Sequence, residues 1–234
     1  MHKLRYSLLL ILFSLLIFSS SLFSETQKAI LSYYKGNISI YRNNTLVYPE
    51  INMKILPGDS LETEKNSNLE ITYEDGSVST LEPNSVMTIR IIKKQKGLFK
   101  TRIKAWLGSV LCKVTKLRTG EKFEVYTPTA AASVRGTVFE AVVTEGKESS
   151  FNLLSGQLYA KAFVEGAKTY LLKDKFKYTV GIKGVPDIRK LSKKEADELT
   201  NRATAYIRDF IKEKKGEIKQ DIRKKTTKGC LGFI

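Results

Sequence analysis

The stretch Thr127-Pro128-Thr129-Ala130-Ala131-Ala132-Ser133-Val134-Arg135-Gly136-Thr137-Val138-Phe139-Glu140 decides how this chain is read. Small residues lead into one Arg-Gly-Thr, which opens an apolar run from Val138 to Val143. Pro128 favours an extended conformation at Thr127. Gly136 permits a positive φ or close backbone approach. Val138, Phe139, Val142 and Val143 suit a strand buried on both faces. Arg135 therefore enters a packed region with no acid beside it in sequence. A guanidinium placed there needs carbonyls or a carboxylate. A structural clamp is the expected role. Contact with a ligand or partner is the alternative, and it would need solvent access.

The same alternation runs through the flanking sequence. Residues 28–48 read as an opening hairpin, in which Ala29, Leu31 and Tyr33 alternate, as do Ile38, Ile40 and Arg42, with turn signals at Lys35-Gly36-Asn37 and Asn43-Asn44. Leu56-Pro57-Gly58-Asp59 is a turn. Leu69, Ile71 and Tyr73 alternate with polar residues up to Asp75-Gly76, and alternation resumes at Val78 and Thr80. Asp-Gly between such runs is a strong hairpin signal. Pro83-Asn84-Ser85 turns the chain into a strand over 86–92, residues 98–116 continue the pattern around the single Trp106, and Gly120-Glu121 leads into Phe123–Tyr126. Beyond Glu145-Gly146-Lys147, short runs at 151–154, 156–160, 170–172 and 176–180 repeat it. Short strands with turns every ~8–12 residues predict an all-β domain over 28–182. Gly36-Asn-Ile-Ser-Ile, Gly108-Ser-Val-Leu-Cys and Gly156-Gln-Leu-Tyr-Ala share one form, read as one kind of strand opening used three times. Their unequal intervals exclude a strict solenoid.

Pro186 is expected to close the β region. Ser192-Lys-Lys-Glu195 fits a capping box, and Leu199, Ala203, Tyr206, Ile207, Phe210, Ile211, Ile218 and Ile222 then fall at helical spacing, weakened at Gly216. This predicts a basic amphipathic helical tail over 188–228 and a short apolar terminus at 229–234. The tail is expected to pack on its own domain, a partner or a membrane surface.

The net charge of +16 points to an anionic partner. Residues 1–24 narrow the choice. Lys3 and Arg5 precede an apolar run, Leu8 to Phe18, then a serine-rich zone, as in a secretory signal peptide cleaved after Ser24 or Ser21. The alternative is an uncleaved anchor over residues 6–23, at the short limit for a spanning helix. Export to the periplasm or outer envelope argues against nucleic acid. It favours an envelope protein, an anionic envelope polymer or a lipid surface. His2, the only histidine, lies in that leader. The exported chain therefore has no imidazole for base catalysis or metal ligation. No cofactor or metal is expected. The remaining acid pairs, Glu62 with Glu64 and Glu74 with Asp75, alternate on strands or occupy a turn, where solvated acids are common. No enzyme is expected. Cys112 reads as a small buried apolar group. Cys230 lies near the end, and pairing of the two remains open.

Charge is also segregated within the β region. Glu50–Glu82 is acidic, whereas Pro83–Arg118 holds no acid. Oppositely charged solvated faces attracting each other across the sheet explain this. The sharper alternative is a basic binding face of Arg90, Lys93, Lys94, Lys96, Lys100, Arg102 and Lys104, near Phe99 and Trp106.

Four motifs in order resemble the FecR protein family. They are Leu56-Pro-Gly-Asp-Ser-Leu-Glu-Thr63, Leu69-Glu-Ile-Thr-Tyr-Glu-Asp-Gly-Ser-Val-Ser-Thr-Leu-Glu-Pro-Asn-Ser85, Phe123-Glu-Val-Tyr-Thr-Pro-Thr-Ala130 with Val134-Arg-Gly-Thr-Val-Phe139, and Leu154-Ser-Gly-Gln-Leu158. The resemblance covers roughly residues 30–182 and implies an antiparallel-rich β module outside the cytoplasmic membrane. In the namesake regulators that module follows a cytoplasmic anti-sigma region and a membrane helix, and receives a signal from an outer-membrane iron-chelate receptor. Here only six residues precede the hydrophobic segment, so the resemblance implies an exported stand-alone member without the anti-sigma region. It supplies no catalytic residues. Gly58, Asp59, Asp75, Gly76, Pro128, Arg135, Gly136, Thr137 and Gly156 are the matching motif positions, expected to be structural. The expected function is a non-enzymatic binding or scaffold protein of the cell envelope. The alternative is a subunit of a trans-envelope signal-sensing system.

Overall fold

A computed structural model of the chain describes residues 28–205. The described strands are β1 (Ala29–Lys35), β2 (Ile38–Arg42), β3 (Thr45–Val47), β4 (Ser60–Thr63), β5 (Asn68–Tyr73), β6 (Val78–Leu81) and β7 (Ser85–Gln95). The long β8 (Leu98–Val114), the short β9 (Lys122–Tyr126), and the long β10 (Ala130–Val143) and β11 (Ser149–Ala162) follow. β12 (Thr169–Leu172), β13 (Phe176–Val180) and β14 (Pro186–Lys190) complete the sheet. A helix, α1, is described over residues 193–205. The architecture is thus the mainly β fold, followed by a helix, that the alternation implies.

Hydrogen-bonded order divides the strands into two layers that share β8, β10 and β11. The first layer runs β1, β5, β6, the C-terminal part of β8, the C-terminal part of β10, the N-terminal part of β11, β13 and β14. The second runs β3, β2, β4, β7, the N-terminal part of β8, β9, the N-terminal part of β10, the C-terminal part of β11 and β12. All these ladders are antiparallel except β8 with β9. Inward side chains of both layers make one core. Tyr73 of the first layer meets Phe123 of the second edge-on at 5.6 Å between ring centroids, a geometry worth ~0.5–1.5 kcal/mol beyond area burial.

The three shared strands bend at glycine. β8 leaves β7 and joins β6 around Gly108, and β10 leaves β9 and joins β8 around Gly136. β11 leaves β13 and joins β12 around Gly156. Gly108 has a φ of +75°, and a Cβ there would lie 2.1 Å from Ser85 Oγ and 2.6 Å from the Asn84 carbonyl oxygen. Gly156 has a φ of +97°, and a Cβ would lie 2.3 Å from the Gly136 carbonyl oxygen. Any side chain at either bend meets both backbone strain and a clash.

Several local expectations need correction. The repeated glycine form is a strand opening only at Gly36. At Gly108 and Gly156 it marks a mid-strand bend, so 151–154 and 156–160 belong to one strand. The opening hairpin over 28–48 does not form: β1 pairs with β5, and β2 pairs with β3 and β4. The hairpin present is β2–β3, closed by Asn43 and Asn44 with φ of 51° and 62°. Both sit in the left-handed region that a tight two-residue turn needs. Pro186 does not end the β region but begins β14, so 188–190 belong to a strand rather than to the helical tail.

Candidate functional site

The structure places the motif residues at turns and crossovers. The Asp59 carboxylate is fully buried and accepts a two-pronged bond from Arg42 Nε and Nη2, each at 2.8 Å, and a third bond from the Leu56 N–H. Arg42 Nη2 also donates to the Lys54 carbonyl, so one guanidinium ties β2 to the Pro57-Gly58 turn. Gly58 N–H donates to Ile89 O at 2.8 Å. Asp75 accepts from the Ser77 N–H and hydroxyl, closing the β5–β6 turn through Gly76, and burial pushes its carboxyl above the usual range. Around Pro128, the Thr127 hydroxyl accepts the Ala130 N–H, and Thr129 Oγ1 donates to Ser149 Oγ at 2.6 Å.

Arg135, Gly136 and Thr137 occupy the point where β10 changes partner. The β10–β11 register shifts between Arg135 and Val138, Gly136 N–H donates to Thr115 O, and the buried Thr137 hydroxyl donates to Gln157 O. Gly156, across this shift, donates its N–H to Asp174 Oδ1 at 2.6 Å. The expectation that Arg135 is packed is overturned: its side chain is exposed, and Nε donates to the carbonyl of the buried Leu117 at 2.7 Å. A kink at a register shift turns this position outward, so one main-chain carbonyl satisfies it.

The outer face of the first layer is covered. Ala196, Leu199 and Arg202, spaced by three, share one face of α1, and the first two are buried. Arg202 Nη1 donates to Glu140 Oε1, and to Glu82 Oε1 at 3.4 Å. Glu140 also accepts from Ser109 Oγ and Asn152 Nδ2. Burial pushes the Glu140 carboxyl up, but Arg202, Ser109 and Asn152 outweigh it and hold the group below its usual range. Ser192 and Glu195 form the reciprocal cap the sequence predicts, with Ser192 N–H to Glu195 Oε2 at 2.8 Å and Glu195 N–H to Ser192 Oγ at 3.3 Å. Arg189 of β14 grips Glu195 and holds the carboxyl well below its usual range. The predicted helical positions from Tyr206 onward, the predicted signal segment over 1–24 and Cys230 lie outside the described residues. Cys112 is buried beside Ser79, and burial pushes its thiol up to about 12.

The basic stretch builds the outer face of the second layer, but not as one patch. Lys93 stands directly opposite Lys100, and Lys100 directly opposite Lys122 of β9. Three ammonium groups thus share one rung across three strands, on one face of the sheet. On the next rung Arg102 faces Glu124, and Nε and Nη2 donate to its Oε2 at 2.9 and 2.7 Å. Arg102 also lies 4.9 Å from the Tyr126 ring centroid, and Tyr126 stacks on Phe163. Lys104 lies 3.5 Å over the Trp106 ring; burial, then Arg90, lowers its pKa. Lys94 is removed from this face: it points to the other side, paired with Glu74 at 3.2 Å and lying over Phe99. Lys96 is at the exposed tip of the β7–β8 hairpin, and the exposed Arg90 occupies a bulge. Around the lysine rung is a concavity of about 210 Å³, lined by Ile91, Lys93, Lys100, Arg102, Lys122 and Glu124. A second, of about 150 Å³, adjoins it through Glu124 and has Ala131 and Ser133 between Tyr126 and Tyr159.

Sequence reasoning missed Lys122, which joins the rung only through the parallel β8–β9 pair. It also missed Arg202 and Glu140 as partners. The inward step of the Ile38, Ile40, Arg42 alternation was the available signal for the Arg42–Asp59 clamp. Glu64 is exposed and accepts from Asn37, and Glu74 accepts from Lys28 and Lys94. Among the described residues, no group of three His, Cys, Asp or Glu could hold a metal, and no helix is long and apolar enough to cross a membrane.

A family model described as FecR protein matches residues 59–159. That span runs from the buried Asp59 through the lysine rung and the β10 crossover to the Tyr159 wall. No curated protein matches the sequence. Two crystal structures of a protein described as a candidate anti-sigma factor from Parabacteroides distasonis are similar to it, at 16% identity and a TM-score of 0.48. The matched region covers 63% of this chain and 64% or 63% of theirs, so the chain spans less than two thirds of their length.

Proposed function

From a chain whose residues 59–159 carry a FecR-type domain, we propose a non-enzymatic binding module of the bacterial cell envelope. It is exported to the periplasm or outer envelope and holds an anionic partner against the outer face of its second layer. The observation that carries this is the unneutralised rung of Lys93, Lys100 and Lys122. Like charges directly opposite each other on a sheet destabilise it, so a sheet with no use for them would place an acid or a neutral residue there. Two of the most deeply buried acids support a non-enzymatic reading, because they are tied into the fold: Asp59 by Arg42, and Glu140 by Arg202.

The FecR-type domain itself supports a regulatory or signal-sensing role. It favours a second reading, in which the chain is a subunit of a trans-envelope sensing system and residues 6–23 anchor it. A photo-cross-linking residue at position 96, at the hairpin tip beside the basic face, tests both in intact cells. The binding module predicts a discrete envelope adduct on a shortened chain released by carbonate washing. The sensing subunit predicts retention of the leader and resistance to that wash. An adduct pattern unchanged by Lys93→Gln with Lys100→Gln would overturn the basic face as the contact surface.

A further inference from the structure

We propose that the rung of Lys93, Lys100 and Lys122, with Arg102 beside it, is a binding site for a phosphate or sulfate group. This rests on the binding-module reading above and names the chemistry of its ligand. Adjacent strands lie about 4.8 Å apart, so the rung sets three ammonium groups along one short line at the edge of a concavity. The neighbouring rung shows how this sheet treats a structural charge, since Arg102 there is met by Glu124. No acid stands in the lysine rung itself. Arg102 uses Nε and Nη2 on Glu124, which leaves the Nη1 donors of its planar fork to face a second oxyanion.

Acceptor number and geometry select the ligand. A carboxylate offers two oxygens in one plane, too few for three ammonium groups in a line. A phosphate or sulfate group is tetrahedral and presents more acceptor oxygens, and lysine binds such a group as a point charge. A phosphate monoester brings close to two charges, whereas a sulfate ester or phosphodiester brings one per group and meets the rest of the rung by repetition along a polymer or a lipid surface. The trough between Tyr126 and Tyr159, floored by Ala131 and Ser133, lies next to the rung and receives the rest of a larger ligand. Aromatic walls over a small-residue floor leave room for a flat ring against the sheet.

The test uses the full chain at low ionic strength, with three probes: inorganic pyrophosphate, a sulfated polysaccharide fragment, and vesicles of phosphatidylglycerol against phosphatidylcholine. The proposal expects at least one probe to bind and to raise Tm. The combined Lys93→Gln, Lys100→Gln and Lys122→Gln variant should weaken that probe by at least tenfold. The exposed Lys116→Gln control should change it by less than twofold. Free of ligand, the triple variant should melt no lower than wild type, and higher at low salt, because it relieves repulsion. Whichever probe binds names the source as free anion, polymer or lipid headgroup. Equal weakening by Lys116→Gln would mean diffuse attraction and would overturn the site. So would failure of all three probes. If position 96 still gave its envelope adduct, the binding-module reading would survive that failure and the partner would be recognised by other chemistry. Loss of the adduct as well would remove both.

Discussion

The outer face of the first layer holds Glu82 and Glu140 under Arg202, whereas the outer face of the second lines up Lys93, Lys100 and Lys122 with no acid in the rung. The two faces belong to one sandwich and share β8, β10 and β11. On the first, charge is nearly buried and is matched inside the molecule by a helix arriving from much later in the chain. On the second, charge is half-exposed and unmatched in its rung. Buried charge must be paired, because desolvation without a partner costs several kcal/mol. The lysines are half-exposed or exposed and solvated, so a sheet tolerates their repulsion. The covered face concerns folding, and the open face is the one proposed to bind.

The sharpest way to break this contrast is Arg202→Ala. It removes the cation that Glu82 and Glu140 share and should lower unfolding stability by about 2 kcal/mol in a urea titration. A variant as stable as wild type would mean that the helix does not hold that face. The pH dependence follows from the same contact. Glu140 lies below its unfolded value of 4.5 in the folded chain. Its contribution is therefore fully present above that value and is lost as pH falls through the lower folded value. Melting temperatures from neutral to acidic pH should drop steeply below about 4.5 for wild type, and less steeply for Arg202→Ala. Arg135→Ala comes next: an exposed side chain with one bond to a buried carbonyl should cost about 1 kcal/mol. A loss above roughly 3 kcal/mol would show that the crossover depends on Arg135 as a buried clamp. The smallest effect has the opposite sign. Lys100→Gln should raise stability by a few tenths of a kcal/mol at low salt, and the gain should vanish at high salt.

Much of the local structure was legible. Asp75-Gly76 and Asn43-Asn44 announce their turns because few residues adopt those backbone angles cheaply. Ser192 and Glu195 announce a helix start because each satisfies the other's N–H. Arg135-Gly136-Thr137 lies where β10 changes partner, but the packing that the sequence predicts for Arg135 is absent. Its exposure depends on a register shift against β11, which no alternation in β10 alone reveals. The basic face was half legible. Residue types and spacing gave Lys93, Lys100, Arg102 and Lys104. The two-residue period could not remove Lys94, because the bulge at Arg90 resets which face each later residue takes.

By itself, the sequence determined that the chain forms strands, where most of them turn, and that Pro83–Arg118 carries basic charge without acid. These are properties of neighbouring residues, set by backbone sterics and by side-chain period. Only the tertiary structure decided which strands meet. It brought β9 parallel to β8, which set Lys122 beside Lys100, and laid α1 across the first layer, which set Arg202 on Glu140. Strand pairing depends on burying both layers' inner faces together, and that free energy belongs to no single stretch of the chain.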